Sequence, residues 1–219
     1  MPHSLDMPQP PRAERWEVLA ALRDLQPGTW IATDADNTLW AGDVGDEVVR
    51  TAATPPHVPW RPGDADLERY AELMRRSYLE GCKFSAALLA NVAFSEARER
   101  LVPAFAARVT PRRWLVEALL TARDRGVRIV VISASPAPAV HLGLELAGLG
   151  GCDVIALACT PGKTPHFAEP LPVGDGKPAA LLAGGWPRPD LALGDSDWDL
   201  PLIAHARRGL WLIPACDER

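Results

Sequence analysis

Thr29-Trp30-Ile31-Ala32-Thr33-Asp34-Ala35-Asp36-Asn37-Thr38-Leu39-Trp40 is the stretch from which the fold is read. A short run of strand-forming residues stops at two aspartates one residue apart, and apolar residues return after Thr38. Open α/β sheets bind ligands outside the carboxyl ends of their strands, so a strand that delivers carboxylates at its end is a candidate active-site strand. If the strand ran on, Asp34 and Asp36 would point to one face. One carboxylate would then attack or bind a cation while its neighbour moved a proton.

On the N-terminal side, residues 13–25 carry Trp16, Val18, Leu19, Leu22 and Leu25 at helical spacing, and Pro27-Gly28 turns the chain into the strand. On the C-terminal side, residues 41–47 read as a small polar loop. The four prolines of residues 51–64 mark irregular chain. Residues 66–108 are helical in pattern with a break at Gly81, and contain no strand candidate. The whole reads as a helical insertion of roughly 70 residues, the size of a small module.

The texture then changes. Residues 127–132 form a nearly continuous β-branched run, as expected of a strand buried on both faces, and end in Ser133-Ala134-Ser135-Pro136. A helix is expected over 137–149, with Ser135 as its N-cap and Pro136 at its first position. A second buried strand is read at 153–159, a hairpin at 167–173 and a short helix at 177–183. A third strand at 189–193 ends in Gly194-Asp195-Ser196-Asp197-Trp198-Asp199. A helix at 200–207 and a strand at 209–213 complete the chain. Strands alternating with helices imply a parallel sheet in an α/β fold.

The 219 residues are enough for a core without disulfides, and a formal charge of −5 argues against a nucleic-acid or anionic-membrane surface. Cys82, Cys152, Cys159 and Cys216 form no CxxC pair, so neither a zinc site nor a redox motif is indicated. No apolar run approaches a membrane span, and residues 1–12 read as a loose tail without signal-peptide pattern. The location expected from these features is cytoplasmic. His57, His141, His166 and His205 are isolated from one another and read as surface or core residues.

Three strands therefore end in polar residues at one sheet edge: Asp34 with Asp36, Ser133, and Asp195 with Asp199. Lys177 opens a helix between the second and third. The chain has three lysines, Lys83, Lys163 and Lys177, against twenty arginines, so a lysine kept there suggests a compact point charge. A calcium loop is a poor alternative. With Asp195, Asp197 and Asp199 at its first, third and fifth positions, Leu200 stands where glycine is required and Ala206 where glutamate is required.

Taken in order, these motifs resemble the haloacid dehalogenase superfamily, and within it the phosphoserine-phosphatase-like branch. The DxDxT motif is Asp34-Ala35-Asp36-Asn37-Thr38, and the strand ending in a hydroxyl is Val130-Val131-Ile132-Ser133. The lysine is Lys177, and the GDxxxD motif runs from Gly194 to Asp199. The resemblance implies a Rossmann-like parallel core over residues 13–44 and 111–219, with a small helical cap over 45–110 inserted between the first two motifs. It implies a phosphomonoester hydrolase with Mg²⁺ as cofactor and a small phosphorylated metabolite as its partner. Asp34 would be the nucleophile and form an aspartyl-phosphate, and Asp36 the general acid and base. Ser133 would hold the phosphate, Lys177 would offset charge, and Thr38 and Asp199 would support the site. Metal ligands would be the Asp34 carboxylate, the Asp36 backbone carbonyl and Asp195. A dehalogenase would lack the second aspartate, so Asp36 favours phosphatase. A phosphotransferase or phosphomutase, and more remotely a non-enzymatic metal-binding protein, remain alternatives.

For specificity, Asp43 occupies the place of an acid that faces the substrate amine in phosphoserine phosphatases. Asn91 stands where those enzymes carry a carboxylate-gripping arginine, and Trp198 where asparagine is usual. With Trp40, two aromatic faces beside an acid point to an amino-alcohol ester such as phosphoethanolamine or phosphocholine.

Overall fold

The computed structural model of the chain describes residues 10–53, 64–162 and 164–215. Its elements in order are β1 (Arg12–Ala13), α1 (Arg15–Asp24), β2 (Trp30–Thr33), β3 (Trp40–Ala41), α2 (Val44–Ala53), α3 (Asp64–Arg76), α4 (Tyr78–Ala90) and α5 (Phe94–Arg108). There follow β4 (Thr110–Pro111), α6 (Arg113–Asp124), β5 (Arg128–Pro136), α7 (Ala137–Leu146), β6 (Asp153–Leu157), β7 (Cys159–Thr160) and β8 (His166–Phe167). The chain closes with α8 (Gly176–Ala183), β9 (Leu191–Gly194), a 3₁₀ turn (Asp197–Asp199), α9 (Leu200–His205) and β10 (Arg208–Leu212).

Six parallel strands lie in the order β1-β10-β9-β2-β5-β6. Strand β2 is central, with Ile31 opposite Ile129 on one side and Leu191 on the other. Helices cover both faces, so all four β2 residues are buried. Successive side chains alternate between two cores. Ile31, Val131 and Leu193 join one core with Leu22, Leu115, Leu119 and Val140. Trp30, Ala32, Val130, Ile132 and Ala192 join the other with Leu181 and Leu202. The expected α/β architecture is thus the observed one.

The helical segment α2–α5 leaves the sheet region at β3 and returns at β4. These two strands pair antiparallel, Trp40 opposite Pro111 and Ala41 opposite Thr110. They do not form the only tie. Val44, Val48, Leu89, Ala97, Leu101 and Phe105 share one continuous core with Trp40, Leu115 and Val140, so apolar burial anchors the segment on the sheet-layer helices. Arg98 and Glu145 add a salt bridge at 2.7 Å between α5 and α7.

Several expectations are corrected. The polar loop expected at 41–47 is already helix from Val44, because Asp43 Oδ1 accepts the Asp46 N–H at 3.0 Å and caps the first turn. Gly81 lies inside α4, and the interruption falls at Ser77, the N-cap of that helix. A Cβ at Gly81 would meet Met74 Sδ at 2.1 Å, so the glycine serves the approach of α3 and not a break. Trp16 is 68% exposed while Val18, Ala21 and Leu22 face the core. The hairpin in the excursion is formed by β7 and β8. The proline-rich stretch at 54–63, residues 1–9 of the tail, Lys163 and Cys216 lie outside the described residues.

Candidate active site

The site forms where β2, β5 and β9 end side by side. The Asp34 N–H still bonds the Leu193 carbonyl at 2.9 Å, and then the chain leaves strand geometry. Leu39 N–H bonds the Ala35 carbonyl at 2.7 Å, and Asn37 takes a left-handed φ of 56°, which asparagine tolerates. Asp34 and Asp36 are therefore presented by a tight turn and not by the alternation of a continued strand. The turn lets each carboxylate find different partners.

Asp34 faces charge. Lys177, 2% exposed at the start of α8, donates to Asp34 Oδ1 at 2.6 Å and to Asp199 Oδ1 at 2.5 Å. The second Asp199 oxygen accepts from the Asp195 N–H at 3.1 Å, the Ser196 N–H at 2.9 Å and the Ser196 Oγ–H at 2.7 Å. Three of these bonds fall on one oxygen and one on the other. Asp199 is thus an anchor that sets the lysine and the β9 loop. Gly194 makes this possible, since a Cβ there would meet Asp199 Cβ at 2.4 Å. Burial, then repulsion from Asp199, hold the Asp34 carboxyl well above the ordinary range despite Lys177. Burial and Asp199 likewise push Asp195 up to about 6, against the Thr38 hydroxyl that donates to it at 2.8 Å and the charge of Arg112.

Asp36 faces neutral donors. Its Oδ1 accepts the Trp40 indole N–H at 2.8 Å and the Val44 N–H at 2.9 Å, and its Oδ2 accepts the Ser135 hydroxyl at 2.6 Å. Burial and the neighbouring Asp34 raise it to about 6, while these three donors pull it down. Two sequence expectations are corrected here. Ser135 does not cap α7, because β5 runs on to Pro136 and the serine is drawn to the carboxylate. Trp40 offers no face to a ligand, because it is fully buried, with its ring 3.0 Å from where a Gly143 Cβ would lie. Trp40→Phe is expected to lower stability by on the order of 2–4 kcal/mol, from a lost bond to a carboxylate and an unfilled space. Urea unfolding measures it, and an unchanged midpoint would sink the assignment.

Ser133 is 1% exposed, and its Oγ accepts the Ser135 N–H at 3.0 Å. Among the described residues no protein acceptor takes its hydroxyl hydrogen. Asp43 is half-buried, and burial followed by Asp36 and Asp46 holds it well above the ordinary range. Trp198 is half-buried and stacks on Tyr78 of α4, ring centroids 4.9 Å apart. One of its faces is therefore covered. Asn91 is exposed at the end of α4, bonded to the Ala87 carbonyl and the Gly162 N–H. It is not among the partners of the carboxylate cluster.

Tyr78 and Cys82 were not legible as site residues. Helix α4 lies over the sheet edge with Cys82 and Ala86 packed against Ala134 and Leu157. Burial and the nearby Cys82, Asp43, Asp34 and Asp36 push the Tyr78 phenol up, and burial and Asp43 push the Cys82 thiol up to about 12. Both stay protonated. Ring spacing on a helix carries no sign of what lies beneath it, so only the packing shows this.

Asp34, Asp195 and Asp199 place ligand atoms within 4.8 Å of one another. Three buried carboxylates against one lysine leave negative charge uncompensated, and an all-oxygen donor set suits a hard divalent cation. Asp199 is committed to Lys177 and the β9 loop, which favours Asp34 and Asp195 as the carboxylates that would hold it.

A family profile described as haloacid dehalogenase-like hydrolase matches residues 31–204. No curated protein sequence matches the chain. Among solved structures the fold is similar to a substrate-bound phosphoserine phosphatase, at TM-score 0.54 and 17% identity, with 83% of this chain and 84% of that chain covered. It is similar to cytosolic 5′-nucleotidase IIIB bound to cytidine, at TM-score 0.57 and 14% identity over 90% and 75%. It is also similar to a protein of unknown function from Bordetella pertussis Tohama I, at TM-score 0.62 and 17% identity over 82% and 87%. At these identities the likeness is one of fold.

Proposed function

The chain belongs to the haloacid dehalogenase-like hydrolase family, and from that premise we propose that it is a phosphatase acting on a small phosphomonoester through an aspartyl-phosphate on Asp34. The observation that carries this reading is the contrast between two carboxylates two residues apart. Asp34 is bonded by a buried lysine, while Asp36 is held by three neutral donors. Environments that separate two carboxylates assign them different roles.

In the first step an Asp34 oxygen bonds phosphorus as the ester oxygen–phosphorus bond breaks, and Asp36 gives its proton to the leaving alcohol. In the second, water attacks phosphorus, Asp36 takes the water proton, and Asp34 leaves as carboxylate. Lys177 offsets charge on Asp34 and the phosphoryl oxygens, and Ser133 offers its hydroxyl to the phosphoryl group. The Asp34 carboxylate, the Asp36 backbone carbonyl and Asp195 would hold Mg²⁺, which when bound neutralises charge on the transferring group. Thr38 and Asp199 orient Asp195 and Lys177. Segment 45–110 serves as the cap, with α4 excluding water from the edge.

The aromatic support for an amino-alcohol ester is weakened, with Trp40 buried and one face of Trp198 covered by Tyr78. That preference rests on Asp43 and the second face of Trp198.

Phosphate release from p-nitrophenyl phosphate is expected with Mg²⁺ and lost in excess EDTA. A panel of phosphoethanolamine, phosphocholine, O-phosphoserine and sugar phosphates then ranks substrates by kcat/KM. Full activity in EDTA, or no release from any ester, would contradict the proposal. Transfer to an added alcohol in place of water would identify a phosphotransferase.

A further inference from the structure

Arg12 closes the stretch that reads as a loose tail, yet it lies in the edge strand β1, opposite Trp211 of β10. Its guanidinium carbon is 3.6 Å from the centroid of the Trp211 ring, which serves as a shelf for it. From that shelf one nitrogen of the group donates to two backbone carbonyls, those of Leu212 and Asp195. The first lies at the end of the neighbouring strand. The second lies one strand further, in the loop after β9, 183 positions away in the chain. Holding β1 on the sheet does not need that second bond, because the pairing with β10 and the ring contact serve the purpose.

Asp195 is held at its other polar groups as well. Its N–H donates to Asp199 at 3.1 Å, its carboxylate accepts the Thr38 hydroxyl at 2.8 Å, and Arg112 acts on that carboxylate through charge. The peptide that follows Asp195 is gripped from opposite sides, since the Ser196 N–H donates to Asp199 at 2.9 Å while the carbonyl accepts from Arg12. We propose that Arg12 is a positioning residue for the cation site: through the Asp195 carbonyl it fixes the direction in which that residue presents its carboxylate. The proposal rests on the reading of Asp195 as a metal ligand. A bond from a cationic donor is stronger than one between neutral groups, and removing the partners that orient metal ligands costs about 10–100-fold in metal affinity.

The test is a titration of the metal-free chain with Mn²⁺, followed by electron paramagnetic resonance, because Mn²⁺ takes the same oxygen donors as Mg²⁺. Only the binding that Asp195→Asn removes is counted, and circular dichroism gives the folded fraction to which each affinity is referred. Arg12→Met keeps a long stem on the Trp211 ring, and is expected to weaken this binding by at least about tenfold. Charge alone predicts the opposite, since taking one cation away from the site favours the arrival of another. Arg12→Lys keeps both the charge and a donor nitrogen. It should bind Mn²⁺ more tightly than Arg12→Met, where charge alone predicts weaker binding. Parent-like affinity in Arg12→Met, or binding by Arg12→Lys no tighter than by Arg12→Met, overturns the inference and leaves the metal role of Asp195 standing. A parent chain without Asp195-dependent binding removes that role and the inference with it.

Discussion

Asp34→Asn is expected to lose phosphomonoester turnover by at least about a thousandfold while the fold survives. The amide cannot bond phosphorus as a carboxylate does, so no aspartyl-phosphate forms. Structurally the change is mild. Asp34 is buried, and its carboxyl is already held well above the ordinary range by burial and Asp199. The amide oxygen can still accept from Lys177, which keeps Asp199 as its ionic partner. Circular dichroism and the unfolding midpoint should therefore stay near those of the parent. Turnover within about tenfold of the parent would remove Asp34 as nucleophile. Loss of turnover together with loss of fold would be read against Asp36→Asn, which tests the acid and base role without touching the lysine.

Lys177→Met is expected to cost about 3–5 kcal/mol of stability, because it leaves Asp34 and Asp199 buried without their shared cation. The side chain is 2% exposed and bonds both carboxylates. The effect depends on pH in a direction that can be worked out. Burial already holds the Asp34 carboxyl above its ordinary range, and losing the lysine removes an influence that lowers it, so the folded state binds more protons than the unfolded chain and stability falls as pH rises. The deficit is therefore larger at pH 8 than at pH 5. Urea unfolding at both values measures it, and Lys177→Met/Asp199→Asn should recover part of the loss. A deficit independent of pH would show that lost packing, and not charge, is responsible. Turnover should fall as well, since phosphoryl oxygens lose a fixed cation.

The sequence by itself determined the order of the main helices and of strands β2, β5, β6, β9 and β10, because buried parallel strands read as apolar runs and covering helices as 3.6-residue patterns; the short strands β1, β3 and β4, the first of them inside what reads as a loose tail, were not legible. It also determined which residues collect at the sheet edge. Parallel strands β2, β5 and β9 must end on the same side, so Asp34, Ser133 and Asp195 follow from topology. Lys177 was legible as one of three lysines against twenty arginines. What only the tertiary structure decided is how each group is held. The turn at Asn37 sends the Trp40 indole and the Val44 N–H onto Asp36, where the sequence suggested a ligand-facing ring and a polar loop. Ser135 does not take its expected capping role, in which its oxygen would accept a backbone N–H; it donates its hydroxyl hydrogen to a buried carboxylate 99 positions away in the chain. The cover of Tyr78 and Cys82 over the site, and the reach of Arg12 to Asp195, join residues from distant elements. Such contacts leave no local period, spacing or composition in the chain, and arise only when helices pack.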